Sequence, residues 1–412
     1  MSQADPRKFL AAFKETLGGH FAGVGGIIAG LVVAWQLGVF QAHATWAVAV
    51  YPTVLIAETV INGVFSGRLN TALYVGTISP RFAGNMKTLG RLLQHVLALT
   101  LATSVVMSIA STAFGILLWG LNPGSSTDIL IVVVATMSMG LAHYLLMLPV
   151  TFAIFKKGLD LDSVAYPIMA AIADVFITLC YALAFNLRFS FGYPGGYAVV
   201  LVAVVPAALL VLSLPRSLGE EGFSKTIKTS IVGLMFAAVI ASVTGAILQE
   251  INVGASVWDK TGTIYPAGLF VAYPALIELV GDAALVIGST ATTRLVLGLL
   301  EPYFSAMKNH AFQILGAWAA SAIAFIPLSA ASLFFTGTLG LPAFYLLTSV
   351  LLATNAFALI AMTLISYAFA ILTFKKGLDP DHFVIPLETA LAATITSTAV
   401  LAALFLLLNL RG

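Results

Sequence analysis

The sequence predicts an all-α polytopic membrane protein, with about eleven transmembrane helices arranged as two parallel five-helix repeats joined by a linking helix. Three observations predict this. Hydrophobic residues fill 60% of 412 positions and charged ones only 9%, against roughly 25% charged in soluble domains. Apolar runs of about 20 residues, enough to cross a hydrocarbon core of about 30 Å as a helix, recur along the whole chain. An eight-residue phrase also occurs twice, nearly unchanged.

The runs lie near 21–42, 46–67, 89–120, 126–155, 163–187, 195–214, 226–249, 264–290, 311–336, 342–374 and 383–409. None shows the strict alternation over ten residues that a membrane β-barrel requires, so the backbone must satisfy its hydrogen bonds within helices. Ahead of the first run, Phe9, Leu10, Phe13 and Leu17 recur at helical spacing among Lys8, Lys14 and Glu15. Residues 1–20 are therefore expected to form an amphipathic helix on the membrane surface. No short apolar core with a small-residue cleavage site precedes the first run, so that span is expected to stay.

Two classes of function drop out. Cys180 is the only cysteine, which excludes disulfide frameworks and cysteine-rich zinc sites. A net charge of +2 without a dense Lys/Arg cluster excludes nucleic acid as a partner.

With the N-terminus placed in the cytosol, eleven crossings put all but Arg188, Lys260 and Arg411 of the 19 Lys and Arg residues on or near the inner side. The positive-inside rule then orients the chain in the cell membrane with its C-terminus outside.

The duplicated phrase is Phe155-Lys156-Lys157-Gly158-Leu159-Asp160-Leu161-Asp162, repeated as Phe374-Lys375-Lys376-Gly377-Leu378-Asp379-Pro380-Asp381 at an offset of 374 − 155 = 219. Tyr51-Pro52 returns as Tyr273-Pro274, and Pro80 as Pro302, both at an offset of 222. Such long-period self-similarity marks a duplicated unit. Six crossings separate the two copies, an even number, so the repeats run parallel. The expected division is 21–193 for the first repeat, 194–222 for a linking span with its inner loop, and 223–412 for the second. Sites in repeat-built transporters lie at the repeat interface near the bilayer midplane.

Glu58, Asp174, Glu278, Asp282 and Glu388 fall within these spans. An ionised side chain at mid-bilayer costs at least about 2.5–3.5 kcal/mol, so such groups face a cavity or a partner. Asp174 stands eleven residues after residue 163, roughly 16 Å into its helix. Pro52, Pro167, Pro274 and Pro386 lie within a few turns of these acids, and each frees a carbonyl oxygen, the ligand type hard cations prefer. The plainer reading of any one acid is a packing role with Ser, Thr or His; five together point to a cation path. Asp160, Asp162, Asp379 and Asp381 read as helix N-caps. His95 and His143 read as interhelical hydrogen bonders. The GxxxG spacing of Gly26 and Gly30 reads as helix packing.

The segment Tyr166-Pro167-Ile168-Met169-Ala170-Ala171-Ile172-Ala173-Asp174 resembles the proline-to-aspartate segment in the last helix of MgtE-type magnesium channels. Ser66-Gly67-Arg68-Leu69-Asn70-Thr71-Ala72 is similar to the S-R-L-S-T stretch of solute carrier family 41, and Gly281-Asp282 stands where that family has Gly-Asn. The resemblance implies divalent cation transport and no enzymatic activity, with Mg2+ as the transported ion. It also implies Asp174 as the pore ligand, with the Ala170 carbonyl one turn away. Two departures stand out: Tyr166 replaces an asparagine, and Ala393 occupies the position of Asp174 in the second repeat. Glu388, five residues or about 1.5 turns before it, is the candidate to supply the missing charge. Glu58, Glu278 and Asp282 complete the set of candidate metal positions.

A proton- or sodium-coupled carrier of another solute is the second reading. An intramembrane aspartyl protease is a distant third, because Leu279 stands where the G-x-G-D pattern needs glycine. Two parallel repeats are compatible with a monomeric pseudo-dimer or a homodimer.

Overall fold

A computed structural model describes residues 6–409 apart from 21–22, 83–84, 160, 162–164, 219–222, 260–265 and 377–379. Among them there is no strand. The helices are α1 (Pro6–Gly19), α2 (Gly23–His43), α3 (Trp46–Tyr74), α4 (Met86–Leu118), α5 (Ser126–Lys156) and α6 (Tyr166–Phe189). They continue with α7 (Gly192–Leu218), α8 (Phe223–Asp259), α9 (Pro266–Val296), α10 (Ala311–Phe335), α11 (Leu341–Lys376) and α12 (Pro380–Asn409). Among the described residues, 11 helical stretches are long and apolar enough to cross a membrane, each at an expected run; the first, Pro6–His43, takes in both α1 and α2.

Local sequence explains the ends. The duplicated phrase closes a helix: Gly158 takes φ +69°, a conformation glycine adopts without steric cost. Its N–H donates to Phe155 O at 2.9 Å and Leu159 N–H donates to Ile154 O at 3.3 Å, so the last carbonyls of α5 are satisfied. Lys156 ends the helix, where a cation complements the dipole. The helix after this turn begins at Tyr166, three residues later than the apolar run suggests, with Pro167 in its first turn, where proline is favoured. α3 is longer than its apolar run by two turns, reaching Tyr74. In that extension Asn70 is buried, while Thr71 and Tyr74 are exposed.

Two compact units make up the chain. One, residues 36–249, is referred to below as the first bundle. Here Phe40, Trp46, Tyr181 and Phe185 form an aromatic knot, with Phe40 and Phe185 edge to face at 4.8 Å. Tyr181 Oη donates to Ala47 O at 2.7 Å, and Asn186 Nδ2 donates to Gln36 Oε1 at 2.9 Å, which fixes the end of α2 against α6. Gly245 of α8 meets the backbone of α3 so closely that a Cβ would stand 2.0 Å from Ala49 O. At one end, Arg188 grips Asp128 through Nε at 2.8 Å and Nη2 at 2.7 Å.

The other unit, residues 1–35 and 250–412, is the second bundle. α1 lies on α10 and α9, with Gly316 admitting the Phe9 carbonyl. The Gly26–Gly30 pair of α2 meets the backbone of α9: a Cβ on Gly30 would stand 2.0 Å from Val271 O, and one on Gly26 2.6 Å from Ala275 N. In lipid, such close approach and interhelical hydrogen bonds hold helices together in place of the hydrophobic effect. Trp318 Nε1 to Thr363 Oγ1 at 3.0 Å and Ser321 Oγ to Asn355 Oδ1 at 3.1 Å supply those bonds between α10 and α11. The unit boundaries at 35/36 and 249/250 fall inside α2 and α8, so the first helix of each repeat contributes to both units.

Candidate functional site

The polar interior of the first bundle starts on α3. Glu58, Asn62, Ser66 and Asn70 recur every four residues, which puts them on one helix face over about 18 Å. All four are buried, between 1% and 3% exposed. Asn62 Oδ1 and Ser66 Oγ are buried without a hydrogen bond to protein. Buried polar atoms of this kind require water or an ion as partner. At the far end of the stripe Tyr74 Oη accepts from Leu161 N at 3.2 Å, tying α3 to the turn that follows α5.

Glu58 has its own partners on α5. Tyr144 Oη donates to Glu58 Oε1 at 3.0 Å, and His143 Nε2 stands 2.9 Å from the same oxygen. The second contact is close but not aligned as an N–H hydrogen bond, so it is a charge contact. The other ring nitrogen, Nδ1, bonds to Gly140 O within the same helix. Gly140 also lets Ile177 of α6 approach, since a Cβ there would stand 2.6 Å from its Cδ1. His143, expected from sequence to bond between helices, does reach from α5 to α3. His95 instead bonds Arg91 O in its own helix at 2.7 Å.

Asp174 lies in the third turn of α6, roughly 12 Å from the start of the helix at Tyr166. It is partly exposed and close enough for its charge to act on His143. Its backbone carbonyl is bonded within α6 by a side chain that α3 in turn holds. Thr178 Oγ1 donates to Asp174 O at 2.6 Å, so the hydroxyl proton of Thr178 is committed. Tyr51 Oη, 3.0 Å from Thr178 Oγ1, is therefore the donor in that pair. Ala170, the carbonyl expected beside Asp174, lies one turn earlier in the same helix.

The second bundle repeats the scaffold without the charges. Ser397 Oγ donates to Ala393 O at 2.6 Å and receives Tyr273 Oη at 2.6 Å, the same arrangement at offsets of 219 and 222. At those offsets Glu58 corresponds to Val280, Asn62 to Ala284, His143 to Met362 and Asp174 to Ala393. The acids of this bundle sit elsewhere. Asp282 Oδ2 contacts His20 Nδ1 at 3.3 Å. Glu278, one turn earlier on α9, has Oε2 2.8 Å from where a Gly26 Cβ would stand, against the first turn of α2. Glu388 lies in α12, but its side chain, like those of Asp160, Asp162, Asp379 and Asp381, is outside the described residues.

Glu58 and Asp174 thus lie in the same bundle, while Glu278 and Asp282 belong to the other. Among the described residues, no group of three or more His, Cys, Asp or Glu side chains is gathered tightly enough to chelate a metal ion.

Residues 60–184, from the polar stripe of α3 through most of α6, match the family model MgtE, divalent cation transporter. This segment resembles the MgtE family. The resemblance carried by Tyr166 to Asp174 is borne out over that range, and with it a transporter rather than an enzyme. No curated protein and no solved structure matches the chain. The MgtE segment contains Asn62, Ser66, Asn70, His143, Tyr144, Asp174 and Thr178, and Glu58 lies two residues before it. The α3 stripe and the Glu58 partners were not singled out from sequence alone. The four-residue spacing of Glu58, Asn62, Ser66 and Asn70 was the signal available for the stripe. The partnership of His143 with Glu58 had none, since they are 85 positions apart.

Proposed function

We propose that this multi-pass membrane protein transports Mg2+ and that Asp174 is its ligand. One observation carries the reading: the MgtE-matched segment holds a partly exposed aspartate inside a membrane helix, in the same bundle as a buried polar stripe whose Asn62 Oδ1 and Ser66 Oγ have no hydrogen bond to protein. Mg2+ dehydrates reluctantly and binds through one or two carboxylates plus water. A single carboxylate with the Ala170 carbonyl nearby and a polar stripe in the same bundle matches that demand. Glu58 is not taken as the ligand in this reading, since Tyr144 and His143 both engage its Oε1. The expected seat at the seam of the two repeats rests on sequence symmetry, and the orientation with a cytosolic N-terminus on the distribution of Lys and Arg.

The test is Mg2+ flux into proteoliposomes, with Ca2+, Mn2+ and Na+ compared. Asp174→Asn is expected to abolish Mg2+ flux while the purified protein keeps its thermal transition. Flux near the unsubstituted level would overturn the assignment. The proton- or sodium-coupled carrier of another solute predicts flux that ignores divalent ions.

A further inference from the structure

Arg188 and Arg294 each lie in the last turn of a membrane helix, and they differ in what their guanidinium groups hold. Arg188 turns its Nε–Nη2 edge on Asp128, at 2.8 and 2.7 Å. Two N–H groups run parallel along that edge, which suits it to clasp an oxyanion with both at once. Arg294 uses the opposite end. Its Nη1 donates to Asn309 O at 3.1 Å, and to Gln313 Oε1 at 3.0 Å with the Gln313 amide oriented to satisfy both of its atoms. Among the described residues the Nε–Nη2 edge of Arg294 makes no hydrogen bond and no acid pairs with it.

The turn that Arg294 holds, Phe304–His310, meets two further polar groups that lack partners. His310 is 0% exposed, and its Nε2 donates to Thr290 Oγ1 at 3.1 Å, the Thr290 proton being committed to Val286 O at 2.6 Å. Its Nδ1 has no hydrogen bond. Neither has Tyr367 Oη, on a side chain that is likewise 0% exposed and whose ring centroid lies 6.2 Å from that of His310 and 5.9 Å from that of Phe304. Buried polar atoms of this kind call for a polar partner from outside the protein. A second cation comes to the same segment: Lys375 Nζ stands 5.0 Å from the centroid of the Tyr303 ring.

The surroundings decide which kind of anion fits. Val296, Leu297, Leu299, Tyr303 and Phe304, which follow Arg294 in the chain, are 51% to 70% exposed, in the connection between two spans. A soluble anion leaves such surface uncovered, whereas an amphiphile with a phosphate and acyl chains meets both the charge and the apolar side chains. Basic and aromatic residues at the ends of spans stand where a bilayer places its headgroups.

We propose that the Arg294 end of the second bundle binds an anionic phospholipid, with its phosphate on the Nε–Nη2 edge of Arg294 and its acyl chains over Val296, Leu297 and Leu299. The hydroxyls of the headgroup, or the waters it carries, then supply partners for His310 Nδ1 and Tyr367 Oη. This site goes beyond the Mg2+ reading and does not rest on it. The first bundle lacks the set: Ala72, Thr88 and Leu148 stand in the positions of Arg294, His310 and Tyr367, at offsets of 222, 222 and 219.

The test is native mass spectrometry of the purified full chain titrated with phosphatidylglycerol, phosphatidylcholine or inorganic phosphate. One phosphatidylglycerol is expected to bind ahead of any further copies, while phosphatidylcholine and inorganic phosphate at the same concentration leave no adduct. Arg294→Gln is expected to weaken that first binding by about tenfold or more, the fold-change that one charge-assisted hydrogen bond supplies. Arg294→Lys keeps the charge and loses the paired donors, so it is expected to weaken binding several-fold, and it covers a failure of the Gln variant to fold. Arg188→Gln, whose edge is already filled by Asp128, is expected to bind as the unsubstituted protein does. First binding that is unchanged in whichever Arg294 variant folds, or that is lost equally in Arg188→Gln, overturns the site. Phosphatidylcholine bound as tightly overturns recognition of an anion, and inorganic phosphate bound as tightly replaces the lipid by a soluble anion.

Discussion

Tyr51 Oη donates to Thr178 Oγ1 at 3.0 Å, and Thr178 passes its own proton to the carbonyl of Asp174. The relay joins α3 to α6 and fixes the backbone of the proposed ligand. Its twin, Tyr273 to Ser397 to the carbonyl of Ala393, survives where no charge needs positioning. The shared role is to bind the second helix of each repeat to the fifth. In the first bundle alone the relay also orients a carboxylate.

Thr178→Val keeps the shape and removes both bonds. Each buried hydrogen bond is worth about 1 kcal/mol, so both Thr178→Val and Ser397→Ala are expected to lower the thermal transition by similar amounts. Only Thr178→Val is expected to cut Mg2+ flux, by about tenfold, since a 1.4 kcal/mol change is a factor of 10. Equal flux losses in the two variants would assign the relay to stability alone.

Asn62→Leu tests the stripe on α3. Asn62 Oδ1 is buried without a hydrogen bond to protein, and replacing such a group by an apolar one of similar size is nearly neutral or stabilising. The variant is expected to melt no lower than the unsubstituted protein yet pass about tenfold less Mg2+ in proteoliposomes. Unchanged flux would remove the stripe from the ion's route.

Gly30→Ala is expected to destabilise by about 1–3 kcal/mol, because its methyl group would sit 2.0 Å from the backbone oxygen of Val271. Gly38→Ala, eight residues further along α2 with open space around it, is expected to be neutral or stabilising, since alanine favours helix. Denaturation of the two variants in matched detergent checks the pair.

Asp128→Asn weakens the ion pair with Arg188 at the end of α5 and α6. Both side chains are partly exposed, 24% and 35%, so the expected loss is small, about 0.2–1 kcal/mol, and shrinks further in high salt. A loss that salt does not change would show that the aspartate works by hydrogen bonding to Arg188 rather than by charge.

Glu388→Gln separates the two bundles. Should Glu388 supply the charge missing at Ala393, the substitution is expected to lower Mg2+ flux several-fold. Flux unaffected by it would leave Asp174 as the single acidic ligand of the transported ion.

The sequence by itself determined the class and the eleven spans, and it showed the repeated phrase and singled out Asp174 as a candidate. Hydropathy and repetition are local or additive properties of the chain, and a helix in lipid has no alternative way to satisfy its backbone. It also carried the loss of symmetry, visible as Ala393 opposite Asp174. Tertiary structure alone decided which partners each acid meets. Glu58 and Glu278 look alike in sequence, each near the middle of an apolar span. Helix rotation and crossing turn one toward His143 and Tyr144 and set the other against the glycines of α2. Those contacts join residues 85 or more positions apart, and their geometry is set by which small residues let two backbones approach, a fact that no single helix contains.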